Sequence, residues 1–472
     1  MGLWLLACVT RDAPVVEFRA GAWEPALEEQ VVLAERGGRS QALHQLRLAS
    51  MLLSLERPEE AAQPLREAAL EMQDFRAEGE FRALVGYESA KTWKGEPYEK
   101  MAAFLTLGAL LHQQGDVGNA RAMYKSAILA DAGTVEERYR SDFVTPWVLQ
   151  GLSYAGQGRE GQAQDSIERA QDALYARHTI DRLVEIVESS SPSSEPGQLA
   201  AALLLMGIPA GGTASPRDPV RAAELAVSQA FEVYRQQKAL RPRDRNPSLR
   251  GAVHQTWEAV PAALDALSAQ LIRGAADITD YDGVEQEARQ LSALLERDYD
   301  TWLLIEAGEG PHKAREGSYG QLLVIQEGSR VREPRVEAGG ARWPVVMLDS
   351  YSYQATTRGS RRVDAYLEGK AVYKDASYVT GWVLWEVADV LAFEGAEGVA
   401  AALYVTGCVL MISSVATQPQ ADIREWGLLP ERLVLAPMEL GPGRHEVLVD
   451  GRSVVVDVPQ RGQAFQLVPR PL

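Results

Sequence analysis

The chain has 472 residues, of which 46% are hydrophobic and 24% charged, and its formal net charge is -17. That length is too great for one ordinary core, so a globular protein of two or three domains is expected. The acidic balance, relieved by no basic run, argues against nucleic acid or an anionic lipid surface as the main partner. The two cysteines, Cys8 and Cys408, exclude a disulfide framework and a four-thiolate metal site.

The chain opens MGLWLLACVTRDAP. Leu5, Leu6, Ala7 and Cys8 followed by a polar stretch have the form of a lipobox, in which the cysteine becomes the lipidated first residue of the mature protein. A secretory signal needs a basic start and about 7–15 apolar residues. Only Gly2 to Ala7 separate Met1 from Cys8, and they include no Lys or Arg. Residues 1–8 therefore read as the remainder of a signal whose start lies upstream.

Residues 20–188 carry an internal repeat, the sign of a helical array. FLTLGALLHQQGDVGNARAMYKSA places Phe104, Leu107, Gly108, Leu111, Gly115, Ala120, Tyr124 and Ala127 at the spacing of a tetratricopeptide helix-turn-helix. A second copy follows 43 residues later with Trp147, Gly151, Tyr154, Gly158, Ala163, Ile167 and Ala170, and a weaker one precedes both with Leu48, Ala49, Leu52, Ala61, Leu65 and Ala68. Small residues let paired helices approach, and Gly115 and Gly158 suit a turn that needs left-handed backbone. Stacked repeats form a concave groove whose face here carries Leu43, Leu46 and Ser50, then Ala102, Leu105, Ala109 and His112, then Thr145, Val148, Leu152 and Ala155. That face is apolar and nearly uncharged. It is expected either to take a hydrophobic partner segment, through Leu105, Ala109, His112, Val148 and Leu152, or to be covered by the chain itself. Self-coverage is favoured because a large exposed apolar patch is costly.

Residues 189–300 read as further helices, notably 220–237, 254–271 and 286–295, with flexible breaks at SSSPSSEP (189–196), 210–219 and 241–248. From Trp302 the period changes. TWLLIEA, QLLVIQ, WPVVMLD, RVDAYL, RLVLAPM, HEVLV and SVVVDV are short, β-branched runs bounded by Gly, Pro or Asp. Asp450 and Gly451 between the last two mark a tight hairpin. Residues 301–472 are thus expected to form a mainly antiparallel β domain, and the fold class is α+β. Gly398 to Val415 is an uncharged stretch of 18 residues, at the lower limit for a membrane span. Its position between strands of one sheet favours a buried helix over a crossing.

Several motifs together resemble an uncharacterised family of bacterial repeat-containing lipoproteins. They are GEPYEK leading into the repeat that ends GDVGNAR, then Gly308, Gly310, Pro311 and Lys313 in EAGEGPHK, then Ala421, Asp422, Arg424, Trp426, Leu429 and Pro430 in ADIREWGLLP, and a closing strand with Gly443, His445 and Val447. The resemblance spans residues 86 to 450, with no match between 175 and 300. It implies an envelope lipoprotein with no assigned enzymatic activity, and so strengthens the reading of Cys8 as a lipid-attachment site. With Val9 after the cysteine and no Asp there, the expected location is the outer membrane, facing the periplasm. A cytoplasmic location is the alternative if Met1 is the true start.

Motifs for chemistry are few. The six histidines are scattered, and no metal-binding, nucleophile-elbow or phosphate-loop pattern occurs, so neither cofactor nor metal is expected. EAGEGPHK reads as a turn joining two strands, with anion binding by Lys313 and His312 as the rival. In ADIREWGLLP, Asp422 and Arg424 are expected to pair while Trp426 buries its ring; the rival is a partner surface formed by Arg424, Trp426 and Lys313. The sequence therefore predicts a non-enzymatic scaffold for envelope proteins or peptides. The alternatives are a subunit of a secretion or motility complex, and a regulator or enzyme of cell-wall metabolism.

Overall fold

The computed structural model describes residues 13–73, 92–131, 140, 142–209, 217–241, 254–279, 281–316, 322–357 and 421–470. Cys8, Cys408, the stretch 398–415 and the predicted strand RVDAYL lie outside them.

The N-terminal part is helical. After α1 (Ala13–Arg19) and α2 (Trp23–Glu35) come three helix pairs: α3 (Gln41–Ser54) with α4 (Pro58–Gln73), α5 (Pro97–Gln113) with α6 (Val117–Asp131), and α7 (Thr145–Ala155) with α8 (Glu160–Ser190). The pairs are built alike. A Cβ added at Gly108 would lie 2.6 Å from the Tyr124 ring and 3.2 Å from the Ala120 carbonyl, and one at Gly151 would lie 3.2 Å from Ile167 and 3.3 Å from the Ala163 carbonyl. Ala49 and Ala61 are fully buried at the matching places in the first pair. The turns share one backbone state, with φ +80° at Gly115, +68° at Gly158 and +59° at Glu56. Glu56 thus takes the left-handed conformation without glycine's freedom.

The stretch SSSPSSEP is not a long break. Four residues separate α8 from α9 (Glu195–Gly207), which Pro196 opens from within its first turn, where a missing N–H costs nothing. The 31-residue α8 runs from one core into another. Its residues up to Leu174 belong to the core of the array. From Ala176 onward it packs with α9, α10 (Pro219–Ala239) and α11 (His254–Ala276) in a separate helical core centred on Leu183, Leu203, Ala226 and Trp257. Then α12 (Asp282–Glu296) returns along α8, where the Gln171 side chain donates to the Ala288 carbonyl.

The C-terminal part is strand-rich, as expected. β1 (Thr301–Ala307), β6 (Val346–Ser350), β7 (Arg432–Met438) and β10 (Ala464–Val468) form one sheet in the order β10-β1-β7-β6. β4 (Val336–Ala338), β5 (Ala341–Trp343), β8 (Gly443–Val449) and β9 (Arg452–Val458) form a second, ordered β5-β4-β8-β9, while β2 (His312–Glu316) and β3 (Leu322–Gln326) make a separate hairpin. Pairing is antiparallel except for β1 with β10, which run parallel. The predicted hairpin joins β8 to β9, with φ +50° at Asp450 and +85° at Gly451. The short α13 (Tyr351–Thr356) follows β6.

The first sheet is a middle layer. Leu303, Ile305, Val434 and Ala436 face the second sheet and share a core with Val336, Val447, Val449 and Val456. Trp302, Leu304, Leu433, Leu435, Phe465 and Leu467 belong instead to the core of the helical array. Burial on both faces explains why β1 and β7 read as continuous apolar runs, whereas β8 and β9 alternate. Among the described residues no helix is long and apolar enough to cross a membrane.

Candidate functional site

The groove face expected to meet a partner is filled by the chain itself. Leu105, Ala109, Val148 and Leu152 are at most 1% exposed. The His112 ring stacks on Phe465 of β10, with centroids 4.3 Å apart and planes within 5°. Burial, then the charge of Arg121, lowers the His112 pKa to about 4, so the imidazole is neutral at pH 7. Four of these residues are therefore interior packing and His112 is half-buried under Phe465, so together they do not form an open peptide groove. Of the two occupants weighed for that face, the chain's own is the one observed.

The partner surface considered for Arg424, Trp426 and Lys313 is corrected in the same way, because all three are turned inward. Ala421 to Pro430 form a strap between the array and the strands. The strap's Trp426 is 3% exposed, and its Nε1 donates to Ser50 Oγ on α3 over 2.8 Å. Arg424 pairs with Asp422 at 2.6 Å, as expected, and also donates to Ser40 Oγ over 3.1 Å. Burial alone would raise the Asp422 pKa, but the hydrogen bonds and charge of Arg424 bring it below the ordinary value. From the array, Trp93 Nε1 donates to the Arg424 carbonyl over 3.1 Å and Arg47 to the Glu425 carbonyl over 2.8 Å.

At the centre of this seam lies a buried ion pair. Lys313 Nζ on β2 stands 2.6 Å from Glu99 Oε2 on α5, with side-chain exposures of 1% and 0%. Glu99 Oε2 also accepts the Glu96 N–H over 2.8 Å, and Oε1 accepts the Trp426 N–H over 2.9 Å. One carboxylate thus closes the capping box of α5, holds the strap and anchors β2. Burial raises the Glu99 pKa, while the Lys313 charge and the Glu96 N–H act in the opposite direction. Beside it, Glu425 pairs with His312 at 2.9 Å and accepts the Lys313 N–H over 2.5 Å. EAGEGPHK is accordingly a turn between strands, as predicted, and its Lys313 is committed to an internal carboxylate. Gly310 is required there, since a Cβ would lie 2.6 Å from the Pro430 carbonyl.

A second buried carboxylate repeats the logic. Asp349 on β6, with 0% side-chain exposure, accepts from the Thr145 N–H over 2.7 Å, from Thr145 Oγ1 over 2.6 Å and from Arg177 of α8 over 2.6 Å. It caps α7 from across the interface, where a negative charge also meets the positive end of the helix. Sequence reasoning missed Glu99, Asp349 and Arg177. Only Glu99 left a signal, three residues after Glu96 at a helix start.

The described residues contain no group of three or more His, Cys, Asp and Glu side chains set to hold a metal ion. A cavity of about 410 Å³ beside the strap lies between α1, the end of β1, the loop at 329–334 and the last strands. Five arginines line it (Arg19, Arg330, Arg332, Arg452 and Arg470), with Glu306, Glu309 and Asp450. Compared with protein-family models, curated proteins and solved structures, the chain matches none.

Proposed function

We propose that this protein is a non-catalytic scaffold of the bacterial cell envelope. In this reading a tetratricopeptide-like array is locked by its own β domain and offers its outer helices to partners. The observation that carries it is the state of the interior polar groups. Glu99, Lys313 and Asp349 each meet hydrogen-bond partners across the seam, and Arg177 pairs with Asp349, the pattern of groups that fix a shape. With the concave face filled, the surfaces left for association include exposed Trp23 on α2, Leu70 on α4 and Leu129 on α6, which are 44%, 64% and 72% exposed.

Location rests on the lipobox form of residues 5–8 and on the family resemblance. An acylated Cys8 would anchor the chain at the outer membrane, where several acyl chains hold far better than one. The test expresses the chain from its natural gene context with and without Cys8→Ser, and with Leu70→Glu and Leu129→Glu combined. The reading expects Cys8→Ser to release the protein from membranes. It expects the double variant to stay anchored but to lose cross-linked envelope proteins. Membrane attachment without Cys8, or turnover of peptidoglycan fragments by purified protein, contradicts it.

A further inference from the structure

The arginine-lined cavity has a composition that the scaffold reading does not use. In a chain of net charge -17, five arginines and three acidic residues converge on about 410 Å³, a size typical of small-molecule sites. They come from segments far apart in sequence, so local composition does not explain their meeting. Arg470 donates to the Gly308 carbonyl over 3.2 Å, and Arg19 donates to the Gly427 carbonyl; neither makes an ion pair among the described residues. The two guanidinium groups are close enough to repel, for Arg470 is held below its ordinary pKa by burial and by Arg19. Arg330 and Arg332 lie at the mouth, exposed and without an ion pair among the described residues. Arg452 is the exception, paired with Glu56 at 2.9 Å.

The acidic residues offset this charge only in part, Glu309 and Glu306 acting on Arg470 without forming an ion pair with it. Glu306 is half-buried by surface, accepts the Arg470 N–H, and has its pKa raised to about 7 by burial. Asp450 accepts the Arg335 N–H over 2.8 Å, and Glu309 is exposed. The remaining walls are apolar, formed by Phe18, Ile305, Val331, Leu428 and Val468. Guanidinium groups match the planar or tetrahedral oxygens of carboxylate and phosphate, and the walls suit a hydrocarbon body.

We infer that this cavity binds a small organic anion, with an oxyanion head held by Arg19 and Arg470 and an apolar body lying against Phe18, Ile305 and Val468. The cavity borders the strap through Leu428 but includes neither buried ion pair of the seam, so its failure leaves the covered apolar face untouched.

The experiment is calorimetric titration of the full chain with octanoate, phenyl phosphate, inorganic phosphate and octanol. Binding of octanoate or phenyl phosphate is expected. Inorganic phosphate and octanol, which each lack one half of the ligand, are expected to bind at least about tenfold more weakly. Preference between the two organic anions assigns the head as carboxylate or phosphate. Arg19→Ala, which also gives up the bond to the Gly427 carbonyl, is expected to lower affinity about tenfold in protein that stays folded, and Arg470→Lys checks the second contact without removing its charge. Absence of binding by both organic anions, equal binding of octanol, or affinity indifferent to both substitutions in folded protein overturns the inference. Inorganic phosphate binding as tightly as phenyl phosphate overturns it too.

Discussion

Replacing Lys313 with Met perturbs the seam at its centre while roughly keeping its volume. Lys313 Nζ lies 2.6 Å from Glu99 Oε2 and 3.1 Å from the Arg424 carbonyl. With both side chains at most 1% exposed, water cannot replace the lost ammonium without opening the interface. Glu99 keeps the N–H groups of Glu96 and Trp426, but its charge is no longer neutralised. Removing one partner of a buried ion pair costs about 3–5 kcal/mol, whereas removing both costs much less. Lys313→Met should therefore lower stability by that amount, and adding Glu99→Gln should restore about 1–3 kcal/mol of it. Urea denaturation followed by circular dichroism, with the slope checked for constancy, reads both values. A loss below about 1 kcal/mol for Lys313→Met, or a double variant no more stable than the single one, would refute the view that this pair is dry and holds the seam.

Three further outcomes follow from single side chains. Asp349→Asn leaves Arg177 without its counter-charge and weakens the cap of α7; a loss of about 3 kcal/mol is expected in urea denaturation. Burial, opposed by the Arg470 charge and N–H, holds Glu306 up at about 7 against an ordinary 4.5. The folded chain thus keeps a proton that the unfolded chain releases, so this contribution is fully present below about pH 4.5 and lost as pH rises through about 7. Glu306→Gln should consequently raise the stability read from urea denaturation at pH 8, by at most about 3 kcal/mol, and leave it unchanged near pH 4. At the first repeat turn, Glu56→Gly should relieve about 1 kcal/mol of left-handed strain, less the small loss of the partly exposed pair with Arg452. A thermal midpoint lower than that of the parent would contradict the strain.

Much of this architecture was legible where local chemistry and tertiary packing agree. The spacing of small and apolar residues located helices in the N-terminal part, and the runs in TWLLIEA, RLVLAPM, HEVLV and SVVVDV located strands because one or both faces are buried. β2 was missed because HKARE is polar. It becomes a strand through pairing with β3 and because Lys313 and His312 find Glu99 and Glu425 on other elements. β4 and β5 were missed because three residues each give no period. The Ser- and Pro-rich run 189–196 reads as a longer break than the four residues that separate α8 from α9, because Pro196 also begins a helix. The apolar groove face was visible, whereas the seam that covers it was not, since Glu99 and Lys313 stand 214 residues apart. The arginine cavity left no sequence signal for the same reason.

The proposed scaffold requires that the strap around Trp426 stay down on the helices that hold it, through Ser50 and Glu99. Amide hydrogen exchange on the full chain tests it most directly. Arg424 to Leu429 are expected to be protected by several kcal/mol and to exchange together with α5 and β1. Exchange of those six amides within seconds, while α5 stays protected, would show a strap that lifts freely and a groove open to partners.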